Sequence, residues 1–176
     1  MRFSPLPIAI LAALVLGAFT RVHASTTTAD DLSHLCQNAE QICEVEVLAK
    51  ETVRLDDGSV ETRYTFASIL PMKGSMGSTQ VVRIPGGAVA GRGLAIPGMP
   101  SFEVGERHIL FLSAEGQNQW RMPVGLDAGA FEVRPGRTAN QARVMSGAGC
   151  CDHDGHQQHV QSYDQFVQRI FEELRK

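Results

Sequence analysis

Beyond residue 20 the sequence has no apolar run long enough to cross a bilayer, no cluster of Lys and Arg, and none of the short motifs that announce an enzyme. The first absence leaves no stable membrane segment in the body of the chain, since a spanning helix needs about 20 apolar residues. The second excludes a nucleic-acid partner, because a phosphate backbone is bound by grouped cations. The third removes the common hydrolase, metalloprotease and nucleotide-binding readings: G-x-S-x-G, H-E-x-x-H and Walker sequences do not occur. "MKGSMGS", Met72 to Ser78, lacks the Gly-Lys-Ser/Thr order that cradles a phosphate and reads as a turn. There is no internal repeat.

The N-terminus carries what the rest lacks. Met1-Arg2 precedes the apolar run "PLPIAILAALVLGAFT", and Val22 and Ala24 stand at −3 and −1 of a signal-peptidase site. A charged start, a short apolar core and small residues before the cut predict a secretory signal peptide over residues 1–24. Its removal leaves one ordinary domain, residues 25–176, with 14 basic against 19 acidic residues and a net charge of −5. A lipid anchor is not expected at Cys36, where bulky Leu35 precedes the thiol. The expected location is the periplasm or the extracellular medium, with no membrane attachment after cleavage. Four cysteines in an oxidising compartment make disulfides the default reading.

Along the body, residues 28 to 41 predict a short helix with an acidic first turn. "ICEVEVLAKETVR" alternates, with Cys43, Val45, Val47 and Ala49 on one parity and Glu44 and Glu46 on a wet face. "LDDGS" is a hairpin turn, "VETRYTFASILPMKG" a second strand and "TQVVRI" a third. Residues 85 to 105 hold six glycines and three prolines in 21 positions, which predicts a surface loop with at most a short hairpin. "RHILFLSAE" is apolar on both parities and belongs at the centre of a sheet. "QWRMPVGL" and "GAFEVRP" form the fifth strand, with Trp120 and Phe131 read as core. Residues 136–161 read as a linker. Tyr163, Phe166, Val167, Ile170, Phe171 and Leu174 form one apolar stripe, a C-terminal helix over 162–175 with a Ser162/Gln165 capping box.

Chemistry concentrates in "GAGCCDHDGHQQH", residues 147 to 159. Cys150, Cys151, His153, His156 and His159 are competent zinc or copper ligands, although their spacing is no standard finger pattern. The favoured reading is disulfide anchoring without a cofactor, with Zn or Cu binding as the alternative and a redox role as a third. Cys36, Cys43, Cys150 and Cys151 allow three pairings. A vicinal bridge needs a strained ring, so Cys150 and Cys151 are expected to reach back to Cys36 and Cys43. His108 reads as a strand or turn histidine, because no nucleophile is tied to it by motif.

"YTFASILPMKG", "VVRIPGG", "IPGMPSFEVGERHILFL" and "VGLDAGAFEV" resemble blocks of exported bacterial proteins, and their layout resembles the netrin-like module of tissue inhibitors of metalloproteinases. The resemblance covers roughly residues 42–135 and the final helix. It implies a mainly β fold, a five-stranded OB-type barrel flanked by helices, and an exported binding module. Those inhibitors chelate the protease zinc through an N-terminal cysteine. Here the expected mature chain begins Ser25-Thr26-Thr27 and Cys36 lies inside it, so that inhibitory chemistry is not implied.

The expected function is therefore a non-enzymatic, protein-binding module with an unidentified protein partner, of protease-inhibitor or surface-binding type. A periplasmic metal binder using residues 150–159 is the rival. Leu94, Ile96, Met99 and Phe102, apolar residues on a glycine-rich loop, are the expected contact residues.

Overall fold

A computed structural model describes residues 29–89, 92–136, 141–146 and 160–176. The expected signal peptide and the segment 147–159 lie outside the described residues. The described chain is mainly β, with a helix at each end. Helix α1 spans Ala29–Asn38 and α2 spans Tyr163–Glu173. Between them come β1 (Gln41–Arg54), β2 (Val60–Lys73), β3 (Thr79–Pro85), the small hairpin β4 (Gly87–Val89) and β5 (Arg92–Leu94), β6 (Arg107–Leu112), β7 (Ala130–Arg134), β8 (Arg143–Ser146) and β9 (Val160–Ser162).

Seven strands make one antiparallel sheet in the order β3-β2-β1-β6-β7-β8-β9, and β4–β5 stand apart as a two-stranded ribbon. The expected five strands thus become seven in the main sheet. No closed barrel ladder is present among the described residues, where β3 and β9 are the sheet ends. The β1–β2 turn follows its sequence: Asp57 Oδ1 accepts the Ser59 N–H at 2.8 Å, and Gly58 takes φ 85°. β8 and β9 arise where no apolar period was visible, and three or four residues each suffice because β7 templates β8 and β8 templates β9.

Two apolar cores lie on opposite faces of the sheet. Under the helices, Ile42, Ile109, Phe111, Phe131, Val133 and Val144 meet Leu32, Leu35 and Cys36 of α1 and Phe166 and Ile170 of α2. On the inner face, Cys43, Val45, Val47, Tyr64, Phe66, Val82, Ile84, Leu110 and Leu112 pack around Phe102. β6 serves both, which is why it is apolar at every position from Ile109 to Leu112.

Helix cover corrects one expectation. Glu44 does not face water: it is 1% exposed, receives the Tyr163 hydroxyl at 2.6 Å and pairs with Arg107. Alternation identified its face, but only tertiary packing of α2 decides that the face is dry. The capping box also fails to form. Ser162 makes no side-chain cap; instead β9 pairs with β8 and Tyr163 N–H bonds Ala142 O at 3.1 Å, so the strand sets the helix entry.

Candidate functional site

The site is built by an irregularity in β1. Up to Val47 the inner face carries Cys43, Val45 and Val47, opposite Phe66 at the last position. A bulge between Val47 and Ala49 then inserts one residue, and the parity reverses. Ala49, expected on the inner face, is exposed, whereas Lys50 aligns with Tyr64 and Thr52 with Thr62. A polar end is thereby joined to an apolar trough.

The chain leaving β3 crosses this end at close range. The Thr62 hydroxyl donates to Gly86 O at 2.8 Å, and Thr52 Oγ1 lies 3.1 Å from Thr62 Oγ1. Since the single Thr62 proton is engaged, Thr52 donates to Thr62 and keeps its own oxygen free to accept. Gly87 adopts φ 126°, and a Cβ there would run into the Thr62 hydroxyl and stand 2.5 Å from Thr52 Cγ2. A Cβ on Gly93 would lie 2.8 Å from Gly87 O. These glycines serve close packing of the β4–β5 hairpin on β1 and β2.

The returning segment plugs and latches the trough. Phe102 is 1% exposed, edge-on to Tyr64 at 5.1 Å and to Phe66 at 5.7 Å between ring centroids. Lys50 Nζ reaches Glu103 at 2.6 Å and Ser101 Oγ at 3.2 Å, and stands 5.9 Å from the Tyr64 ring centroid. Partial burial works against its charge, yet the Glu103 carboxylate outweighs that, and the lysine pKa rises above its usual value. Gly105 N–H bonds Val47 O at 2.8 Å, and Val47 N–H bonds Glu106 O at 2.9 Å.

What remains open between hairpin and strands is a cleft of about 610 Å³. Lys50, Thr52, Thr62 and Tyr64 supply its polar floor; Ile84, Pro85, Leu94, Ile96, Met99 and Pro100 supply apolar walls. Among the described residues no group hydrogen-bonds the Tyr64 hydroxyl, which opens into the cleft. Lys50 has a third N–H beyond those on Glu103 and Ser101. The arrangement therefore offers two hydrogen-bond donors and one acceptor inside apolar walls, which is recognition chemistry.

The four loop residues expected at a contact surface divide. Leu94 is 49% exposed at the rim, while Ile96 and Met99 are half-buried in the cleft wall. Phe102 is corrected to a core residue. A large ring next to Tyr64 and Phe66 gains more from filling the trough than from water. Sequence reading missed Lys50, Thr52, Thr62 and Tyr64, because no periodicity marks the bulge that turns the first two inward.

His108 lies on β6, 7% exposed, edge-on to Phe102. Burial lowers its pKa against the pull of Glu106, so the ring is neutral near pH 7. Nε2 then donates to Glu106 Oε2 at 3.1 Å and buried Nδ1 is left bare. It does not line the cleft. Phe131 is core, as expected, whereas Trp120 is half-buried and donates through Nε1 to Glu61 Oε2 at 2.9 Å.

Cys36 and Cys43 are free thiols on opposite faces of the sheet. Burial pushes Cys36 up to about 11, helped by Glu173 and opposed by Lys73. Burial also raises Cys43, whose Sγ lies 3.1 Å from Ser68 Oγ. Their expected partners Cys150 and Cys151, and the histidines His153, His156 and His159, fall outside the described residues. Among the described residues no three His, Cys, Asp or Glu side chains gather as a metal site.

No protein-family profile matches the chain, and neither a characterised protein nor a solved structure is significantly similar to it.

Proposed function

We propose that the chain is an exported, non-enzymatic binding module that holds a segment of a partner protein in the cleft under the β4–β5 hairpin, without a cofactor. The observation that carries this reading is the cleft itself. Its volume of about 610 Å³ is that of a ligand site, and Gly86 and Gly87 hold it preformed against Thr52 and Thr62. A protein partner is favoured over a small molecule because Leu94 extends the apolar wall outward onto the surface. The signal-like N-terminus supports delivery to the periplasm or beyond.

The OB-type, netrin-like architecture is part of the same proposal. Two ties support it: Arg121 N–H bonds Arg83 O of β3 at 3.1 Å, and Trp120 bonds Glu61 of β2. Both draw the chain that follows β6 toward the far strands, the direction in which an OB barrel closes.

Binding of the natural partner to the purified mature protein tests the function. Leu94→Asp should abolish it while shifting stability by no more than about 0.5 kcal/mol, as a surface change does. Full binding by the variant overturns the proposal.

A further inference from the structure

We infer that the cleft recognises the C-terminal carboxylate of an apolar peptide, received by Lys50 and Tyr64. This rests on the reading of the cleft as a partner site and names what the partner brings to it.

Lys50 is the one charged side chain among the described cleft-lining residues. It already holds a carboxylate: Glu103 sits on it at 2.6 Å, from a side chain that is 69% exposed. An ammonium that accepts one carboxylate from the loop has the geometry to accept another, and an ion pair so open to water is easily exchanged. The ligand oxygens would also meet the Tyr64 hydroxyl, which opens into the cleft and has no hydrogen-bond partner among the described residues, so its proton is free to donate. Ile84, Leu94, Ile96 and Met99 then require an apolar body behind the carboxylate.

A fatty acid shares that much chemistry. The remaining group separates the two sources. Thr52 Oγ1 has spent its proton on Thr62 and can only accept, so it calls for an N–H on the ligand. Lys50 and Thr52 stand two residues apart on one strand face, roughly 7 Å, which suits a terminal carboxylate and an upstream amide of an extended peptide. A peptide has that N–H and a fatty acid does not.

The test is a ¹⁵N NMR titration of the mature protein near pH 7 with acetyl-Ala-Leu-Val-Leu as free acid, the same peptide as C-terminal amide, and decanoate. The free acid should move the amide signals of Thr52, Thr62, Gly86 and Gly87. The amide should bind roughly tenfold more weakly, as for loss of one charge-assisted hydrogen bond. Lys50→Met should remove the difference between acid and amide, and Tyr64→Phe should weaken the acid alone. Exposed Glu103→Gln should tighten the acid about threefold by freeing Lys50, a gain that a misfolded variant cannot mimic. Equal binding of acid and amide overturns the carboxylate assignment while leaving the cleft a partner site. Decanoate matching the free acid overturns the peptide assignment. Failure of all three probes to move the cleft signals overturns the inference, and partner binding sensitive to Leu94→Asp would still uphold the broader reading.

Discussion

Gly87 crosses the strands beneath it so closely that a Cβ would stand 2.5 Å from Thr52 Cγ2, at a φ of 126° that L side chains rarely adopt. Both the hairpin position and the cleft depend on this missing atom. Gly87→Ala should cost about 1–3 kcal/mol and abolish partner binding. Gly58→Ala is the control, because its φ is 85° but its Cβ would meet nothing within 4 Å. Urea unfolding of both variants should show the smaller loss at position 58, with binding intact there. Equal losses would show that backbone strain alone, and not the close approach, fixes Gly87.

Tyr163 joins the last helix to the sheet through buried Glu44 at 2.6 Å. Burial, then the adjacent Glu44 carboxylate, push the phenol far above its usual pKa, so it stays a donor well into alkaline solution. Tyr163→Phe keeps the ring packed and removes the donor. It should cost about 1.5–3 kcal/mol, the range for hydrogen bonds to charged groups, read from the urea midpoint. An unchanged midpoint would mean that Arg107 alone satisfies the carboxylate.

Glu61 is 0% exposed and receives Arg63 at 2.8 Å, Arg83 at 2.9 Å and Trp120 at 2.9 Å. Burial acts to raise its pKa, and the three donors more than reverse this, leaving it below the usual carboxylate value. A depressed carboxylate contributes stability that is full above the unfolded pKa and is lost as pH falls through the folded one. Glu61→Gln should therefore flatten the acid limb of the stability curve below about pH 4.5 and cost roughly 2–3 kcal/mol at neutral pH. An acid limb identical to that of the wild type would remove Glu61 as its source.

His108 works with the same sign for a different reason. Its folded pKa is lowered, chiefly by burial, so the unfolded chain binds the proton first as pH drops. Glu106 and Glu132 face the ring and only partly oppose this. Stability should fall from about pH 6.5 downward, and His108→Gln should remove that segment of the slope. A wild-type stability that rises on acidification through this window would show the imidazolium to be the favoured form.

Strands β1, β2, β3, β6 and β7, the hairpin inside the glycine-rich loop and the C-terminal helix were legible because each carries its own local signal, whereas β8 and β9 have none and exist through their pairing with β7 and with each other. "RHILFL" announced a strand buried on both faces, and it is. Three further features were not legible. The bulge at Val47 and Ala49 is a backbone event with no side-chain period, yet it decides that Lys50 and Thr52 face the cleft. The dryness of Glu44 depends on a helix 119 residues away in sequence. Phe102 sits in a segment whose composition says loop, while its ring completes a core assembled from five strands.

The partner is proposed to sit at the hairpin cleft. A photo-crosslinking amino acid placed at position 94, on the cleft rim, tests it against one at position 81. Val81 is 55% exposed on β3 and does not line the cleft. In the compartment where the protein resides, position 94 should give one dominant adduct that disappears when Gly87→Ala is added. Position 81 should give none. An adduct from position 81 but not from 94, or one from 94 that survives Gly87→Ala at full yield, would contradict the account.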